Sequence, residues 1–202
     1  EFRRVLFRSM KSDHGFRDEQ LKPYNFNVGP FLADKKSVQQ GYSIAEPFSV
    51  KKQAGFDPVV HLLADHGFST YSTTIETRTQ LVRDKPDLVR RFVEASILGW
   101  YNYLYGDRKA ADALIKKDNP DMTDEYIEGS VQLMKKLAII DSGDALTKGI
   151  GAMDPARIKD FYDKMVKAGL YKPGDVDLSK VATMQFVNKG VGLDVRKKLT
   201  GR

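Results

Sequence analysis

The chain has 202 residues, 41% hydrophobic and 30% charged, with a formal charge of +6 and no cysteine. That usage is ordinary for a folded, water-exposed protein; the missing cysteines exclude disulfides, thiolate nucleophiles and cysteine-based zinc sites, and no run approaches the roughly 18 apolar residues that span a membrane. The paired lysines, Lys35-Lys36, Lys51-Lys52, Lys116-Lys117, Lys135-Lys136 and Lys197-Lys198, stand apart among acidic and apolar residues. They form no continuous stripe for neutralising phosphates, so no nucleic-acid partner is expected.

Residues 1–9, Glu1-Phe2-Arg3-Arg4-Val5-Leu6-Phe7-Arg8-Ser9, look like the translation of a common sequencing-library adapter and are set aside from fold reasoning as an artefact. Without their three arginines and one glutamate the formal charge falls from +6 to +4. Met10 to Gln20 is polar and reads as the close of a helix. Pro23 to Val28 alternates in strand fashion up to the turn signal Gly29-Pro30. Phe31 to Gln40 reads as a short helix with Phe31, Leu32 and Val38 turned inward. In the next stretch, Tyr42, Ile44 and Ala45 form a strand-like run that Pro47 stops, since proline cannot donate to a ladder. Glu46 therefore stands at a strand end, where ligands collect in open α/β sheets.

Phe48 to Ala54 predicts a helical turn closed by Gly55, and Asp57-Pro58 introduces the apolar run Val59 to Ala64, the right length for a buried parallel strand. Tyr71, Thr73 and Ile75 then alternate with Ser72, Thr74 and Glu76, the period of a pleated strand. Asp84, Pro86 and Asp87 open the strongest helix. Its apolar stripe is Leu88, Val89, Phe92, Val93, Ile97, Trp100, Tyr101 and Leu104, ended by Gly106. Arg108 to Lys117 is a shorter helix resting on Ala111, Leu114 and Ile115. Thr123 caps another, whose inner face is Tyr126, Ile127, Val131, Met134 and Leu137. After a loop over residues 139–151, Asp154-Pro155 opens a helix through Ala168 that buries Ile158, Phe161, Tyr162, Met165 and Val166, with Gly169 as its cap. Residues 171–202 read as loop, a short helix near Lys180 to Phe186, and a frayed basic tail.

The ordered set of Gly41-Tyr42 through Glu46-Pro47, Val59 to Asp65 with Gly67, Tyr71-Ser72-Thr73-Thr74, and Asp84-Lys85-Pro86-Asp87-Leu88-Val89 with Gly99-Trp100 resembles the periplasmic solute-binding proteins of ABC importers. The branch is the one with carriers for nitrate, taurine, alkanesulfonates and thiamine-pyrimidine precursors, and the likeness covers residues 22 to 195. It implies an α/β fold of the two-lobed, type II kind, incomplete here and helix-rich in its carboxy-terminal half. Residues 10–70 would end one lobe, and residues 71–202 would hold a hinge strand and the carboxy-terminal part of the other. Two lobes need more residues than are present, so the amino-terminal portion, any signal peptide included, is expected to be missing. The resemblance further implies a periplasmic monomer that closes around a small solute and delivers it to an ABC permease in the membrane.

Tyr42, Glu46, Tyr71 and Thr73 are the candidate ligand-binding residues, offering aromatic faces, hydroxyls and one carboxylate for a small polar molecule. Only Arg78 lies near these segments, which favours a neutral or cationic heterocycle over an anion. No catalytic residue is identified: there is no GxSxG serine, and the only histidines are His14, His61 and His66. His61, Asp65 and His66 do not share a face on a strand, so no metal site is expected. Gly149-Ile150-Gly151 and Gly190-Val191-Gly192 lack the flanking strand and helix of a phosphate cradle, so they read as turns and no cofactor is expected. Two other readings share the resemblance: a pyrimidine-precursor-synthase-like enzyme, expected to carry clustered histidines and often cysteine, and a ligand-sensing domain of a larger receptor.

Overall fold

Ten α-helices carry the chain in the computed structural model, which describes residues 2–23 and 27–201. In order they are α1 (Phe2–His14), α2 (Gly29–Ala33), α3 (Glu46–Ala54), α4 (Thr79–Asp84), α5 (Pro86–Tyr105), α6 (Lys109–Asp118), α7 (Asp124–Lys136), α8 (Ala145–Lys148), α9 (Pro155–Lys167) and α10 (Leu193–Thr200). Helix, short 3-10 turns included, accounts for 56% of the described residues, which contain no strand. The expected α/β, two-lobed type II architecture is therefore overturned.

Three of the strand expectations fail for reasons visible in the chain. Pro47 is the second residue of α3: its fixed φ and missing N–H suit the first turn of a helix as well as the end of a strand. Val59 to Leu62 is irregular, and Val59 is 83% exposed. A strand is stable only when a neighbour takes its hydrogen bonds and a layer covers its face, and neither is supplied here. Residues 71–77 are likewise irregular, with Thr73 in the left-handed region at φ +56°. The strand expected over Pro23 to Val28 falls largely on residues 24–26, outside the described residues. The helix expected over Phe31 to Gln40 shrinks to the end of α2, and Val38 is 84% exposed.

Helix boundaries follow local chemistry more closely. Pro86 stands at the start of α5, the Thr123 hydroxyl accepts the Tyr126 N–H ahead of α7, and the Asp154 carboxylate accepts the Ala156 N–H ahead of α9. Gly55 closes α3 in the left-handed conformation.

The contacts of the chain group into two units. One comprises Glu1–Pro30, His61–Thr74 and Asp154–Thr183. Here α1 packs on α9, and Leu6, Phe68 and Met165 form the core with Phe161 and Leu170 around them. The Phe68 and Phe161 rings meet edge to face at 5.3 Å. Phe2 to Ser9 of the stretch resembling an adapter thus lie in α1, in the same helix as Met10 to His14.

The other unit comprises Phe31–Val60, Ile75–Met153 and Met184–Arg202, and is organised by α5. Val89, Val93, Ile97, Tyr101 and Leu104 of α5 are buried with Ile150 and Phe186, and α4 and α10 pack against the same helix. Leu88, Phe92 and Trp100, expected on the inward face, are exposed, Phe92 to 62%. The two GxG stretches are turns that meet. Gly190 N–H donates to the Lys148 carbonyl at 2.9 Å, and a Cβ on Gly149 (φ +92°) would lie 2.8 Å from the Val191 carbonyl oxygen. The supposed frayed tail is α10, tied down by Arg196: its Nε–H donates to Asp141 at 2.7 Å, and the Asp141 side chain is 2% exposed.

Candidate functional site

The Gly41 to Glu46 stretch closes on itself. Glu46, the first residue of α3, turns its carboxylate back to accept the Tyr42 N–H at 2.6 Å, while the Ala45 N–H donates to the Tyr42 carbonyl at 2.9 Å. A Cβ on Gly41 would meet the Glu46 carboxyl at 2.7 Å, so glycine allows the carboxylate to come this close. The turn is anchored on α7: buried Ser130 donates its hydroxyl to the Ile44 carbonyl at 3.0 Å, and the Phe48 ring meets Tyr126 edge to face at 5.4 Å beside Gly129. Burial pushes the Tyr126 phenol up, and the Glu46 carboxylate adds to that shift. The Tyr42 side chain is exposed. Glu46 thus supports the turn as a carboxylate at a helix start, where the helix dipole favours it.

The Ser69 to Thr73 stretch is held by the start of α9. The Tyr71 hydroxyl oxygen accepts the Asp154 N–H at 2.7 Å, and the Arg157 guanidinium lies over the Tyr71 ring at 4.3 Å from its centroid. The same guanidinium donates to the Thr70 carbonyl at 2.8 Å and the Ser69 carbonyl at 3.5 Å. Tyr71 is half-buried, Ser72 and Thr73 are exposed, and their hydroxyls stand 3.4 Å apart. A phenol whose oxygen accepts from backbone still has its own O–H to donate. What this arrangement offers a solute is one hydroxyl donor, two neighbouring hydroxyls and an aromatic edge, beside a fixed positive charge.

The four residues singled out in the sequence therefore divide. Tyr42 and Glu46 are brought together in one unit, and Tyr71 and Thr73 belong to the other. Arg157 was missed, because nothing in a helix-borne arginine distant in sequence announces that it will stack on Tyr71. Tyr105 and Asp141 were missed for the same reason. The Tyr105 hydroxyl donates to Asp141 at 2.7 Å, and burial together with that carboxylate pushes the Tyr105 phenol up to about 12. His61 and His66 stand with ring centroids 5.9 Å apart, and among the described residues no group of three or more histidines and carboxylates is arranged to hold a metal ion.

The family model described as NMT1/THI5 like matches residues 1–111. No curated protein matches the chain, and no solved structure does.

Proposed function

The chain belongs to the NMT1/THI5-like family, and from that premise we propose that it is a periplasmic solute-binding component that presents a small molecule to an ABC-type permease. The family includes periplasmic binding proteins and THI5 synthases, and small-molecule binding is common to both. The observation that carries the proposal is the family match itself. Composition supports the binding reading over the synthase reading: a synthase of this kind is expected to gather histidines and often cysteine, whereas the chain has three histidines and no cysteine. The neutral donors around Tyr71 suit the orientation of a small polar molecule. Among the described residues no helix is long and apolar enough to cross a membrane. We assign the solute to Tyr71 and Thr73, with Tyr42 and Glu46 as a second candidate pair.

A thermal-shift screen over taurine and other sulfonates, nitrate, aminopyrimidines and simple amines, followed by isothermal titration of any hit, tests this proposal. One compound is expected to raise the melting temperature and bind without being converted. Turnover of a pyrimidine-precursor substrate would move the assignment to the synthase. Unchanged affinity in Glu46→Ala would remove Glu46 from the contact residues and leave it as the support of its turn.

A further inference from the structure

We infer that Arg157 is the positioning residue for Tyr71, fixing the phenol so that its O–H is presented to a ligand acceptor; this rests on the assignment of the solute to Tyr71. Three contacts converge. The guanidinium carbon lies over one face of the ring at 4.3 Å from its centroid, one nitrogen donates to the Thr70 carbonyl at 2.8 Å, and another reaches the Ser69 carbonyl at 3.5 Å. A planar fork can meet a π-face and two successive carbonyls together, which an ammonium on a flexible stem cannot. The Asp154 N–H, three residues earlier on the same helix start, takes the phenol oxygen at 2.7 Å.

The ring is thereby held by one face and by its oxygen. A phenol oxygen that already accepts one hydrogen bond directs its remaining O–H away from that donor. The segment beyond Tyr71 has no regular structure and passes through Thr73 at φ +56°, a conformation costly for a β-branched residue. The Tyr71 carbonyl accepts the Thr70 hydroxyl at 3.1 Å, whereas the ring and its oxygen are met by Arg157 and by the Asp154 N–H at the start of α9. Arg157 also adds a positive charge at a segment where the sequence alone offered Arg78, so the partner for the Tyr71 O–H is an acceptor such as a carbonyl, ring nitrogen or oxyanion, and not an ammonium.

The test uses the full chain with its nine tyrosines replaced by 3-fluorotyrosine. The Tyr71 resonance is assigned by its loss in Tyr71→Phe, and fluorine NMR is recorded for Arg157→Met and Arg157→Lys. In Arg157→Met the Tyr71 resonance is expected to move and broaden while the other tyrosines and the far-ultraviolet circular dichroism stay as they were. Arg157→Lys, which keeps the charge and the fold but not the fork, is expected to recover only part of the shift. A Tyr71 resonance that stays in place in a folded Arg157→Met or Arg157→Lys chain overturns the inference. Titration with taurine, nitrate and 4-aminopyrimidine separates this from the binding proposal. A Tyr71 line that responds to Arg157→Met but to none of the three solutes keeps Arg157 as its holder and counts against the solute assignment.

Discussion

Tyr101 and Tyr71 make the same hydrogen bond in two regions of the molecule. Each phenol oxygen accepts a backbone N–H, from Ile150 at 3.2 Å for Tyr101 and from Asp154 at 2.7 Å for Tyr71. Tyr101 is 0% exposed, its ring pressed against Gly192 at the start of α10. Tyr71 is half-buried, with a guanidinium over one face. The bond therefore does not distinguish a structural tyrosine from one available to a ligand; the exposure that remains after the bond is made does so. Glu46 adds a third case: its chain position is that of a site residue, yet its carboxylate is engaged by Tyr42 four residues away.

The sharpest way to break this contrast is at Gly192. A Cβ there would sit 2.6 Å from the buried Tyr101 ring, on a backbone at φ +78°. Left-handed strain and overpacking together are expected to cost about 3 kcal/mol in Gly192→Ala, read as a lower urea midpoint; a loss below about 1 kcal/mol would mean that the ring has room to move. Tyr101→Phe comes next. It strands a buried N–H at Ile150 and is expected to cost about 2 kcal/mol by the same measurement.

A third effect is set by alkaline pH. The phenols of Tyr103 and Tyr105 are pushed up to about 12, mainly by burial, from an ordinary value of 10.0. The folded chain then holds these protons more tightly than the unfolded chain, so the contribution to stability is full below pH 10 and is lost as pH rises to about 12. Denaturation midpoints across that interval are expected to fall, and Tyr105→Phe to make the fall shallower. The smallest effect belongs to Tyr71→Phe, at under about 0.5 kcal/mol, because water reaches the Asp154 N–H once the hydroxyl is gone. Equal losses for Tyr71→Phe and Tyr101→Phe would erase the distinction between the two regions.

How much of this was legible varies with the range of the interactions. The starts of α5, α7 and α9 were readable from Pro86, Thr123 and Asp154-Pro155, because capping and proline geometry act within one turn of chain. The stripe of α5 that spacing predicts is broader than the buried face: the spacing of Leu88, Phe92 and Trp100 is as helical as that of Val89, Val93 and Ile97, and only the packing of Ile150, Phe186 and α10 selects the second set. The lysines of α10 suggest solvent and a frayed tail, whereas Arg196 is committed to Asp141. At the candidate site Tyr71 was visible as an aromatic among hydroxyls, but its holder Arg157 was not.

The sequence by itself determined the starts of α5, α7 and α9, the absence of thiol chemistry, the glycine turns and the family likeness, all of which rest on residue type and near-neighbour spacing. Tertiary structure decided that no strand forms among the described residues, which side of α5 is covered, that Glu46 closes its own turn, and that Tyr71 lies under Arg157. The physical reason is that a strand, a buried face or a stacked cation exists only through a partner distant along the chain, and local pattern carries no record of which partner arrives.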